Sequence, residues 1–150
     1  MNAISRIADA PAAQIFRVAT ENVEPLWPQI EPLLQVELAN IPTHDVDDVR
    51  GLILGNRCHL WVQWSDHVEA MAVTEFDSFP RGVALRVWLG AANEADRLDG
   101  EGFRTTLTQW AARNHCKWIM ACGRIGWLRR FPDAKFAGVM MRLTVDWGAA

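Results

Sequence analysis

The chain has no tyrosine, although it carries eight tryptophans and six phenylalanines in 150 residues. Bulky rings with few hydroxyls suit a large core, or a partner surface with some exposed rings. No apolar run approaches ~18 residues, so no membrane-spanning helix is expected. The opening residues, MNAISRIADAPAAQ, lack an apolar h-region, so no secretory signal is expected either. Positive charge is scarce. Fifteen Lys and Arg against 18 Asp and Glu leave a net charge of −3, which argues against non-specific nucleic-acid binding. Cys58, Cys116 and Cys122 are odd in number and show no Cys-x-x-Cys spacing, so neither a disulfide framework nor a zinc site is indicated. They read as buried thiols in a reducing cytosol. His59, His67 and His115 do not pair at metal-ligand spacing, and no metal is expected. Ser65 and Ser78 lack a Gly-x-Ser-x-Gly context, so a hydrolase triad has no support.

Half of the residues are hydrophobic, which makes the chain globular. There is no repeat, low-complexity tract or linker. Residues 1–14 show no period and read as an N-terminal arm, and 15–150 as a single domain. The element order runs as follows. A short strand is predicted over Ile15–Ala19. The segment Val23–Asn40 has Leu26, Ile30, Leu33, Leu34 and Leu38 near helical spacing, but also Pro25, Pro28 and Pro32. An irregular first turn and a helix mainly over Glu31–Ala39 are expected. Asp45 caps a second helix, with Val46, Val49, Leu52 and Ile53 as its apolar stripe and Gly55-Asn56 as its stop. Three strands follow, over Arg57–Trp64, Val68–Phe76 and Gly82–Leu89, the first two joined by Ser65-Asp66-His67.

The stretch from Arg97 to Phe131 then reads as glycine turn, amphipathic helix, strand and second glycine turn. Phe103, Leu107, Trp110 and Ala111 recur on one helical face, and Asn114 is the stop. Lys117–Cys122 is apolar on both faces, as in a strand covered on both sides. A helix start behind a glycine turn offers N–H groups and a positive dipole end, a place for phosphate. The turn equally fits a structural helix cap. A last strand is expected over Phe136–Trp147, with Gly138 as a bulge. Three consecutive strands before a strand-helix-strand crossover predict an α/β (α+β) fold, a mixed, twisted sheet of about six strands with helices on both faces.

The order strand, Arg97-x-x-Gly100-x-Gly102, helix, strand, short helix resembles the core of the GNAT acyl-CoA N-acyltransferases. The string from Ala111 and Cys116 to Gly123-Arg124-Ile125-Gly126-Trp127 is similar to small GNAT-fold proteins encoded by tailed bacteriophages. The resemblance implies a sheet splayed between its fourth and fifth strands. It implies that the pantetheine arm of acetyl-CoA pairs with strand-four backbone at Val87, Trp88 and Leu89. It also implies that the pyrophosphate lies on Gly100, Glu101, Gly102 and Phe103, assisted by Arg97, with Arg124 at the mouth of the splay.

Acetyl transfer to an amine needs a base for the amine, N–H groups for the thioester carbonyl and an acid for the leaving thiolate. Many GNAT enzymes use a tyrosine as that acid. Here Cys122 or a water has to replace it, and Glu75, near the end of a central strand, is the candidate base. Glu75 reads equally as a solvent-facing strand carboxylate, and the second glycine turn as a piece of scaffold. Asp99 and Glu101 sit inside the first turn, where a carboxylate within ~4–6 Å of a phosphate is repulsive. Two functions follow from the resemblance. One is an acyl-CoA-dependent N-acyltransferase of phage type, acting on an unknown amine in the cytoplasm, host cytoplasm if phage-encoded. The other is an inactive GNAT-fold phage protein that works by binding a protein partner, virion-associated or host-modulating. No membrane or nucleic acid is expected as partner, and a homo-oligomer stays open.

Overall fold

Chain order begins at the edge of a sheet. The computed structural model describes residues 13–122, 131–135, 137–138 and 142–145. Strand β1, Gln14–Arg17, opens the described chain, so Gln14 belongs to the sheet and not to the arm. Helix α1 then runs unbroken from Thr20 to Leu38 with Pro25, Pro28 and Pro32 inside it. This corrects the expectation of a helix starting near Glu31. The three prolines fall on the exposed side, while Val23, Trp27, Ile30, Leu34 and Leu38 are buried on the other. Each proline removes an N–H, but the carbonyl left over on that side faces water, so burial of the opposite face outweighs the loss.

Helix α2, Val46–Leu54, starts at Asp45 in a reciprocal capping box. The Asp48 N–H donates to Asp45 Oδ1 at 2.8 Å, and the Asp45 N–H donates to Asp48 Oδ2 at 2.9 Å. Strands β2 (His59–Trp64), β3 (Val68–Phe79) and β4 (Gly82–Ala92) form a meander of two hairpins. β3 and β4 each run three residues further than expected. Asp77 and Ser78 continue the ladder opposite Ala84 and Val83, and Ala91 and Ala92 pair with Met71 and Ala70. Long-range pairing thus extends both strands into segments whose composition reads as loop. After a 3₁₀ turn at Ala95–Arg97 comes helix α3, Gly100–Arg113, then β5, Cys116–Ala121.

The strand order is β1-β2-β3-β4-β5. The first three pairings are antiparallel; β4 and β5 are parallel and joined by α3, as expected. The described sheet has five strands rather than about six. The strand expected over 136–147 and the short helix expected after Gly123 fall largely on residues outside the described set. Residues 137–138 and 142–145 themselves form no strand.

Two cores flank the sheet. On the α1/α2 side lie Ile30, Leu34, Leu60, Val62, Met71, Val73 and Leu89. On the α3 side lie Trp61, Ala70, Ala72, Leu85, Phe103, Leu107 and Ala111. Each fully buried aliphatic side chain contributes about 1.5–3 kcal/mol. β5 departs from the two-sided cover expected of it: Trp118 and Ile119 are 43% and 39% exposed, and no described element covers them. Among the described residues, no helix is long and apolar enough to cross a membrane.

Candidate functional site

The described pairing of β4 with β5 stops partway along β4. Their parallel ladder runs from Val83↔Cys116 to Val87↔Ala121, and the Cys122 N–H donates to the Val87 carbonyl at 3.0 Å. β4 continues to Ala92, paired among the described residues with β3 alone. Trp88 is an extra residue at this point, because Val73 faces Leu89 while Thr74 faces Val87. Such a bulge bends the strand and raises its twist. From Trp88 to Ala92, the edge of β4 on the β5 side therefore carries no described strand. An extended ligand could add to that edge by main-chain hydrogen bonds.

On the α1/α2 side, the loop between these helices meets Trp88 of β4. The His44 ring, on the loop between these helices, lies 5.0 Å from the Trp88 ring. His44 Nδ1 is 2.9 Å from the Thr43 hydroxyl oxygen. An open cleft of about 590 Å³ lies here, lined by Thr43, His44, Asp47, Gly51, Leu52 and Arg57 among others. Below it, Trp88 Nε1 is buried and makes no regular hydrogen bond. The Cys58 sulfur, a weak acceptor, is a neighbour of this N–H. Burial pushes the Cys58 thiol up, against the pull of Trp88 and Arg86. Cys58 Sγ is 3.8 Å from Glu75 Oε2. Glu75 is ion-paired with Arg86, its cross-strand partner, and Arg86 Nε lies 3.2 Å from Asp77 Oδ2. The guanidinium is thus shared by two carboxylates two residues apart on one face of β3.

The turn before α3 is closed on itself. Asp99 caps the helix, its Oδ1 accepting from the Gly102 N–H at 2.9 Å. The next N–H, of Phe103, donates to the Asp99 carbonyl at 3.0 Å. Gly102 is required by this packing, since a Cβ there would lie 2.3 Å from Asp99 Oδ2 and 2.7 Å from Ile15 Cδ1. The close approach that glycine permits is to the chain's own side chains. Gln63 on β2, 2% exposed, pins the turn. Its Oε1 accepts from the Asp99 N–H at 2.9 Å, and its Nε2 donates to the Arg97 carbonyl at 2.9 Å and to Glu69 Oε2 at 2.7 Å. The Gln63 amide, and after it the Ser65 hydroxyl, hold Glu69 below the usual carboxylate range. The Arg97 guanidinium points to Glu94, with Nε 3.0 Å from Oε2.

The α3 side of the sheet carries an aromatic cluster beyond the turn. Phe76 and Trp110 stack at 5.2 Å, and His59 meets both rings edge-on. Thr74 Oγ1 accepts from Trp61 Nε1 at 3.0 Å and is 3.0 Å from His59 Nδ1. Burial, and then the nearby Arg17 charge, lower His59 to about 4. It is a neutral structural ring near neutral pH.

The end of the described β4–β5 ladder brings together Val87, Trp88, Leu89 and Cys122. Of the three thiols expected to be buried, only Cys58 is; Cys116 is half-buried and Cys122, which follows the last residue of β5, is exposed. Glu75 lies one strand over, tied to Arg86. Gly100, Glu101, Gly102 and Phe103 form the first turn of α3, and Arg97 is turned away from it by Glu94. Arg124 and Trp127 lie outside the described residues. Reading the sequence missed His44, Asp77, Arg86 and Gln63. Arg86 at the middle of an apolar strand run was a usable signal; His44 in a loop offered none. Among the described residues no His, Cys, Asp and Glu cluster could hold a metal.

No protein-family model matches the sequence, and neither does any curated protein. Solved structures do share the fold. An aminoglycoside acetyltransferase from an uncultured soil metagenomic sample, in complex with sisomicin, superposes with a TM-score of 0.68 at 15% identity, over 89% of this chain and 97% of that one. Ribosomal-protein-alanine N-acetyltransferase from Brucella melitensis biovar Abortus 2308 gives 0.64 at 12% identity, over 89% and 100%. A GNAT family acetyltransferase of Staphylococcus aureus gives 0.63 at 14% identity, over 89% and 100%. The fold is that of the GNAT acetyltransferases.

Proposed function

We propose that this protein is an N-acyltransferase that takes an acyl group from a CoA-type thioester and gives it to an amine. The observation that carries the reading is that the described β4–β5 ladder ends at Val87, paired with Ala121. This leaves the backbone from Trp88 to Ala92 without a described strand partner on one edge. That edge suits the pantetheine arm of an acyl donor, which is the source of the activated acyl group. The backbone of Trp88 and Leu89 is placed to offer N–H groups to the thioester carbonyl, where charge develops.

The cleft beside His44 is the acceptor end. Asp47 favours a cationic amine there. The amine must lose a proton as its nitrogen forms the new C–N bond, and His44, standing over Trp88, takes it. Glu75 is the other candidate base, but its carboxylate is engaged by Arg86. The C–S bond breaks, and the departing thiolate draws a proton from Cys122, at the end of the described ladder, or from water. The string at Gly123–Trp127 supports a phage-encoded version acting in its host's cytoplasm. A second reading, a protein that has lost catalysis and works by binding a partner, is favoured by the Asp99 cap and by the lack of tyrosine.

The test joins stability to turnover. Acetyl-CoA at ~100 times its dissociation constant should add ~2.7 kcal/mol to stability, read as a rise in Tm. Thiol release should then follow the addition of an amine, with sisomicin and an alanine-terminated peptide as probes. His44→Gln should lower kcat about 10²-fold near neutral pH while leaving donor binding unchanged. A protein with no Tm shift and no thiol release is the binding module of the second reading.

A further inference from the structure

We infer that the acyl donor is recognised through its pantetheine arm and that the turn before α3 does not hold a diphosphate. The inference rests on the acyltransferase reading and narrows its donor.

Four observations carry it. First, the α3 N-terminus already has its anion. The Asp99 carboxylate accepts from the Gly102 N–H at 2.9 Å, and its Oδ2 lies 2.3 Å from where a Gly102 Cβ would be, so that N–H is already covered by a carboxylate. Second, the cap is held from below. Gln63, 2% exposed, bonds the Asp99 N–H and the Arg97 carbonyl, and Glu69 holds its amide. Turning Asp99 aside would leave the Gly102 N–H bare, and shifting the turn would leave the amide of a buried Gln63 unsatisfied. Third, the cations described near the turn are engaged. Arg97 is paired with Glu94, and Arg104, one turn into the helix, with Asp133. Fourth, the other charges that the described chain carries at the turn are acidic: Asp96 precedes it and Glu101 lies in the first turn of α3. A diphosphate brought here would meet carboxylates where it needs donors. The edge of β4, in contrast, offers main-chain groups to a neutral arm and asks nothing of charge.

The shared chemistry is a pantetheine thioester, supplied either as free CoA thioester or on a phosphopantetheinylated carrier protein. Isothermal calorimetry with acetyl-CoA, S-acetylpantetheine, an acetylated carrier protein and 3′,5′-ADP separates the cases. Acetyl-CoA and S-acetylpantetheine are expected to bind within about threefold of each other, and 3′,5′-ADP is expected not to compete. Asp99→Asn keeps the cap, since Asn caps as well as Asp, and removes the charge. It should leave the affinities for acetyl-CoA and S-acetylpantetheine both within about threefold of the parent's, whereas a selective tightening of acetyl-CoA by about fivefold would put the diphosphate beside Asp99 and overturn the inference. Carrier-protein binding equal to or tighter than that of the small thioesters supports the inference and identifies the source. Acetyl-CoA binding 100-fold tighter than S-acetylpantetheine, or competition by 3′,5′-ADP, overturns it and leaves the acyltransferase reading intact. If no thioester binds at all, both fail together.

Discussion

The two faces of the sheet are filled by different chemistry. The α1/α2 face is largely aliphatic, with Ile30, Leu34, Val62 and Val73 fully enclosed. The α3 face mixes rings with buried polar groups: Trp61, Thr74, Gln63 and the half-buried His59 and Trp110. The aliphatic face contributes stability without geometry, because dispersion and burial are non-directional. The polar face fixes geometry, because each buried donor or acceptor needs its partner. The Asp99 turn is pinned from the polar face. His44 looks out over the aliphatic one, where Trp88 packs against the core.

The largest expected effect tests the aliphatic face. Leu34→Ala should cost ~2–5 kcal/mol in chemical denaturation, at any pH between 5 and 8, and leave the α3 turn unaltered. A strong pH dependence of that cost would break the contrast between the faces. Gln63→Leu comes next. It strips partners from the Asp99 N–H and the Arg97 carbonyl and should cost ~2–3 kcal/mol. Hydrogen exchange at residues 97–99 should quicken far more than at α1. Equal acceleration at both would show that Gln63 merely fills space.

The third prediction concerns acid. His59 titrates near 4 in the fold and near 6.5 unfolded, so its neutral form favours the native state. The unfolded chain binds the extra proton between these values. Stability is therefore complete above about pH 6.5 and falls as pH drops toward 4. The loss, discounted for the partial exposure of the ring, is about 1–2 kcal/mol. His59→Phe should remove this acid limb, and an unchanged limb would assign it to another group. The smallest effect is at the cap itself. Asp99→Asn should alter stability by less than ~0.5 kcal/mol, whereas Asp99→Ala should cost ~1 kcal/mol. Equal effects would mean that the side-chain bond to Gly102 is unimportant in solution.

Much of the fold is legible in the amino-acid order. Asp45 and Gly55 bracket α2, the hairpin loop at 65–67 joins two strands, and the crossover through α3 sets β4 parallel to β5. Local rules suffice there, because caps, turns and crossover chirality act over a few residues. The candidate site at Trp88, Leu89 and Cys122 is proposed from the sequence only through a likeness of motif. The prolines of α1 mislead, since proline counts against a helix in sequence whichever side it faces.

By itself the sequence determined the order of elements as far as β5, the apolar stripe of α3 and the acidity of the turn before it. The tertiary structure alone decided that α1 runs through three prolines, that β4 reaches Ala92 with a bulge at Trp88, and that His44 stands over that bulge. It also decided that Asp99 turns inward onto Gly102 instead of facing a ligand. The physical reason is range. A capping motif or a hydrophobic period is written within one or two turns of chain. The extra residue at Trp88 depends on how Val73 and Thr74 pair with β4, and the Asp99 turn is held by Gln63, 36 residues away.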